Sequence, residues 1–134
     1  MPAFHREIIT DGAPANKHVY SQGIRVGSMM FITSQIGINP VTKELVQGGI
    51  QKELKQAFKN IKSIIMEGGG LFEDLVMVRL IMKDLGEFEQ MDLMYTEVVS
   101  ELKVKPARTV LENELLSKAR VEVEALAILS PREN

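Results

Sequence analysis

Two charged residues stand where β-prone sequence ordinarily carries aliphatic ones. Arg108 follows the Pro106-Ala107 corner, and Glu122 sits between Val121 and Val123. A guanidinium offers a planar carboxylate a two-pronged fork at fixed charge. A glutamate nearby can hold a water and move its protons. If their strands are neighbours, the two groups face one small site for a carboxylate-bearing molecule. On spacing alone a plainer arrangement fits better, either an ordinary ion pair or Glu122 and Glu124 on the wet face of an edge strand.

The rest of the inventory is sparse. There are no cysteines and two histidines, His5 and His18, both near the N-terminus. Disulfides, thiolate nucleophiles and cysteine metal sites are therefore excluded. The histidines have no ligand-type spacing around them, so no metal site is expected and they read as surface residues. No Gly-x-Ser-x-Gly elbow is present, which argues against a serine hydrolase. The Gly68-Gly69-Gly70 run follows a helical pattern and opens no Gly-Lys-Ser/Thr, so it is no phosphate loop.

The elements that must position Arg108 and Glu122 fit one domain over 134 residues, with 45% hydrophobic and 25% charged residues. The net charge of −2 and a pI near 5.7 disfavour a nucleic-acid partner. Residues 1–7 carry charges where a signal peptide needs an apolar run, and no stretch approaches a bilayer span, so a soluble cytoplasmic protein is expected.

Strands are predicted over Arg6–Thr10, Tyr20–Val26 and Met29–Ile32, with a turn over Asp11–Asn16 and a hairpin break at Gly27-Ser28. Ile50, Leu54, Ala57, Phe58, Ile61, Ile64 and Ile65 then recur at helical spacing, and the triple glycine ends that helix. Leu75–Met82 reads as a central strand covered on both faces, with Arg79 at an interface or snorkelling to an edge. Phe88, Met91, Met94, Tyr95, Val98, Val99 and Leu102 form a second helical stripe, closed by Pro106. Strands around Arg108 and Glu122 complete the order. Alternation in the last strand puts Glu122 and Glu124 on one face with Leu126 and Ile128, opposite Val121, Val123 and Ala125.

This order implies an α+β fold, a two-layer sandwich of a mixed sheet with two helices on one face. The other sheet face lacks a cover, and self-association supplies one most simply, so a homo-oligomer is expected.

Several runs, taken in order, resemble the RidA (YjgF-type) family of enamine/imine deaminases. They are Ala13-Pro14-Ala15, Tyr20-Ser21-Gln22-Gly23, and residues 32–40 (Ile-Thr-Ser-Gln-Ile-Gly-Ile-Asn-Pro). Further on come Lys83-Asp84-Leu85 with Phe88 and Tyr95, Pro106-Ala107-Arg108-Thr109, and residues 121–127 (Val-Glu-Val-Glu-Ala-Leu-Ala). The resemblance implies a chorismate-mutase-like homotrimer with sheets inward and a cleft at each subunit interface. It also implies hydrolysis of 2-aminoacrylate-type enamines and imines, made by pyridoxal-phosphate dehydratases, to 2-keto acids and ammonia without cofactor or metal.

By position, the resemblance implies that Arg108 holds the substrate carboxylate, Glu122 activates the attacking water and Tyr20 lines the pocket. Thr33 stands where the family commonly has serine, and Ser34 where glycine offers a backbone N–H to the carboxylate. Val110 replaces a frequent cysteine but keeps the backbone carbonyl used there. Asp92 replaces the usual asparagine, which puts an acid near an anionic substrate unless it pairs with a cation.

The alternative is a non-catalytic trimer that binds small carboxylates or a partner for regulation. Family links to translation inhibition and RNA cleavage are the weaker option for so acidic a chain.

Overall fold

In the last strand, β6 (Val121–Ile128), Val121, Val123, Ala125 and Ala127 are buried while the residues between them are not. That alternation divides the molecule into a packed side and an open side. The computed structural model describes residues 4–15 and 18–131. Asn16, at the end of the expected turn, and residues 1–3 lie outside the described residues.

The remaining elements are β1 (His5–Ile8), β2 (Gly23–Val26), β3 (Met29–Gln35), α1 (Ile50–Glu67), β4 (Leu75–Met82), α2 (Phe88–Val98) and β5 (Ala107–Glu112), as the sequence order anticipates. One six-stranded sheet runs β1-β2-β3-β6-β4-β5. All neighbours are antiparallel except β4 and β5, which are joined through α2 as a parallel crossover.

Both helices lie on the packed side. The whole predicted stripe of α1 is buried, together with Met30, Leu80, Met82, Val121 and Val123 from the sheet. The triple glycine ends α1 as a Schellman cap: Gly70 N–H donates to the Ile65 carbonyl and Gly69 N–H to that of Met66. Gly69 takes φ 99°, which a side chain would resist.

β3 runs on to Gln35 rather than stopping at Ile32, and other expected limits need correction too. β1 ends at Ile8 rather than Thr10, and β2 starts at Gly23 rather than Tyr20. The cause is Gln22, whose buried amide accepts from Thr10 N–H and donates to the carbonyls of Thr10, Ala13 and Pro14. One side chain thus satisfies a loop that would otherwise need ladder partners. The helix around Met91 stops at Val98, although Val99 and Leu102 stay buried beyond it.

β4 is covered on one face only. Leu75, Val78, Leu80 and Met82 are buried, whereas Val76, Met77 and Arg79 are exposed, because neither helix crosses to the second side. That open face also carries Met29, Phe31 and Ile128, each more than a third exposed.

Candidate active site

Arg108 stands opposite Val78 on the edge strand β5, and Val78 faces the packed side. Its guanidinium accordingly turns toward α2. There its carbon lies 4.6 Å from the Tyr95 ring centroid and 5.9 Å from that of Phe88. Nη1 donates to Oδ1 of Asp92, whose side chain is 39% exposed against 27% for Arg108. Phe88, Asp92 and Tyr95 are spaced i, i+4 and i+7, so one face of α2 supplies both the aromatic floor and the counter-charge. The resemblance marked Phe88 and Tyr95 only as matching positions. Their helical spacing relative to Asp92 was the signal for this shared role.

The Tyr95 hydroxyl is buried and has no hydrogen-bond partner among the described residues. Burial pushes it above the ordinary tyrosine range; Arg108 partly offsets this, and the Asp92 carboxylate adds to it.

Glu122 lies opposite Ile81, two strands from Arg108 and on the open side of the sheet. The two strands are not neighbours, since β4 stands between them. Within one protomer, therefore, Arg108 and Glu122 do not face a common site. Neither do they form the ion pair that spacing allowed, because Arg108 pairs with Asp92. Glu124, the next residue on the open side, pairs with Arg79 at 3.0 Å.

Thr33 and Ser34 occupy an irregularity in β3. Ile32 stands opposite Ala125 and Gln35 opposite Val123, so two residues of β3 face Glu124 alone. Such a bulge bends a strand and re-aims its side chains. Thr33 lines an open groove of about 380 Å³ with Ser21, Phe31, Met77, Glu124 and Leu126. Tyr20 is 53% exposed in the loop before β2 and borders a different, smaller cleft beside Glu7 and Gln22. Val110 lies opposite Leu80, and its side chain packs on the core. Any role it has at a site therefore falls to its backbone, on a strand paired only with β4.

The seven residues thus fall into separate groups on one protomer. Arg108, Asp92 and Val110 gather at the β5 edge, Thr33, Ser34 and Glu122 belong to the middle of the sheet, and Tyr20 lies toward the β1–β2 end. His5 is on β1 and His18 in the loop before β2; among the described residues no three metal-ligating side chains cluster. No described helix is long and apolar enough to cross a membrane.

The sequence pattern of the Endoribonuclease L-PSP family matches residues 10–129. A RutC family protein of Pyrococcus abyssi is 40% identical over 121 residues, an alignment covering 90% of this chain and 94% of that one. The 2-iminobutanoate/2-iminopropanoate deaminase of Rattus norvegicus is 34% identical over 134 residues, covering 98% and 96%. Among solved structures, E. coli TdcF with bound serine superposes with a TM-score of 0.87 at 28% identity, over 93% of this chain and 99% of that one.

Proposed function

Since the chain belongs to the Endoribonuclease L-PSP (YjgF/RidA) family, we propose that it hydrolyses small 2-imino acids and their enamine tautomers to 2-keto acids and ammonia, at sites shared between copies in a homotrimer. Relatives named as 2-iminobutanoate/2-iminopropanoate deaminases over almost the full chain support this reading. The observation that carries it is Arg108. Its guanidinium is seated on an aromatic floor at a sheet edge, and only Nη1 is engaged among the described residues. A substrate carboxylate can take the remaining donors as a fork.

Glu122 supplies the second component. Its carboxylate makes no hydrogen bond or ion pair among the described residues, on a face whose apolar side chains need a cover. A copy of the chain laid on that face would bring a free carboxylate toward a neighbour's β5 edge. There Glu122 takes a proton from water as the oxygen bonds to the imine carbon. The C=N electron pair returns to nitrogen and takes that proton from Glu122. The hydroxyl proton of the resulting carbinolamine then passes to nitrogen by way of the same carboxylate, and the C–N bond breaks to release ammonia as the carbonyl forms. Positioning and proton transfer suffice, because the substrate is already electrophilic. Thr33, Ser34, Tyr20 and the Val110 backbone complete the pocket in this reading.

The test couples the protein to a threonine or serine dehydratase and follows keto-acid release. Acceleration by wild type and none by Arg108→Ala is expected; equal rates for the two would end the proposal. Light scattering of the purified protein should give three times the 15.0 kDa chain mass.

A further inference from the structure

Asp92 places a negative charge against the guanidinium assigned above to the substrate carboxylate. A neutral side chain there would leave Arg108 fully positive. Instead the ligand meets a dipole. Nη1 and Oδ1 are engaged with each other, while Oδ2 of Asp92 and the other N–H groups of Arg108 have no partner among the described residues. The Thr96 hydroxyl bonds the Asp92 backbone carbonyl, not its carboxylate. The pair is part-exposed, and ring contacts hold its cationic end from below.

We infer that Asp92 and Arg108 together form a dipolar seat for zwitterionic 2-imino acids, with Arg108 taking the carboxylate and Asp92 the protonated imine nitrogen. This rests on the reaction proposed above and names the form of substrate it takes. A simple anion approaching the pair gains attraction from Arg108 and repulsion from Asp92, which largely cancel. A zwitterion whose charges sit on adjacent carbon substituents gains from both ends and need not separate the pair. Contact with Asp92 also favours the protonated iminium, the form whose carbon a water attacks.

The reaction then removes what Asp92 recognises. Water oxygen bonds to the iminium carbon as the C=N pair returns to nitrogen, both water protons pass to that nitrogen, and the C–N bond breaks to release ammonium as the carbonyl forms. What remains is a 2-keto acid, an anion with no positive end. Substrate and product carry the same carboxylate, so Asp92 is the residue that tells them apart.

Calorimetric titration with L-alanine, a stable zwitterion, and pyruvate, the matching anion, tests this on wild type, Asp92→Asn and Asp92→Ser. Wild type should bind L-alanine about tenfold more tightly than pyruvate, and both variants should lower that ratio about tenfold, to near unity. Product inhibition by pyruvate in the dehydratase-coupled assay should strengthen in parallel. An unchanged ratio in both variants, or no saturable binding of either ligand by wild type, would overturn the inference. Loss of all binding in Arg108→Ala alongside an unchanged Asp92→Asn ratio would sink the dipolar seat alone. Retained binding in Arg108→Ala would sink the carboxylate clamp as well.

Discussion

Arg108 and Glu122 extend from opposite faces of one sheet, with β4 between their strands. A reaction that needs both must draw them from two copies of the chain. Arg108→Ala and Glu122→Ala should each fall to the uncatalysed rate. Refolded together in equal amounts, they should regain about one quarter of wild-type activity, the share of interfaces at which each copy contributes its intact residue. No recovery on mixing, with both variants folded, would place the two groups in one protomer's site.

Arg79 and Glu124 form a half-exposed pair on the open face. Left in water, it contributes at most about 1 kcal/mol. Covered by a second copy, the same pair becomes costly to break from one side, about 3–5 kcal/mol. Arg79→Ala should therefore weaken assembly far more than it destabilises the protomer. Sedimentation across a dilution series distinguishes the two, and an unaltered association constant would mean that this face stays open.

Glu53 is buried on α1, where its carboxylate accepts from Arg120 N–H at 2.7 Å and lies 3.8 Å from the Arg120 side chain. Burial raises it above its ordinary value of 4.5 despite those contacts. The native state thus binds this proton more tightly than the unfolded chain does. Its contribution to stability is full below about 4.5 and is lost as pH rises through the higher native value. Glu53→Gln removes the titration while keeping an acceptor. Melting curves from pH 4 upward should show wild type losing ground to this variant as pH increases. A constant difference would contradict the assignment.

Gly37 lets the loop after β3 lie directly on α1, where Asn60 donates to the carbonyls of Ile36 and Ile38. A Cβ at position 37 would come within 2.6 Å of the Glu53 Cα and 2.7 Å of its carbonyl oxygen. Helix backbone cannot yield as a side chain does. Gly37→Ala should cost about 1–3 kcal/mol, read as a lower urea midpoint at constant slope.

The Tyr95 hydroxyl is the reverse case, a buried group without a partner. Tyr95→Phe keeps the ring under Arg108 and should raise stability by up to about 1 kcal/mol. Because the native phenol ionises above its ordinary value of 10, wild type should also lose stability as pH rises beyond that point, and the variant should not. A destabilised variant would reveal a hydrogen bond supplied by another copy.

Element order was legible in this sequence because its period changes cleanly, from alternation around Met29 to the three-and-four spacing from Ile50 to Ile65. Strand limits near Thr10 and Tyr20 were not. They depend on Gln22, whose four amide contacts reach across a loop and leave no periodic trace. Arg108 and Glu122 stood out by residue type, yet their relation hinges on β6 inserting between β3 and β4, a non-local choice that spacing does not encode. Asp92 was recognisable as an acid out of place. That it faces Arg108 follows from the packing of α2 against the sheet edge.

The position of β6 governs how the sheet comes into being. It is the last strand along the chain, yet it lies inside the sheet, flanked by β3 and β4. Until residues 121–128 leave the ribosome, the chain can hold only a three-strand meander and a separate β4–α2–β5 crossover, each with a bare edge where β6 belongs. Those edges are openings for pairing with the wrong chain until the final strand is released. Closure also joins Met29 to Ile128, partners drawn from distant parts of the sequence, which makes it a slow step. The strand that bears Glu122 thus leaves the sheet open until residues 121–128 have been made.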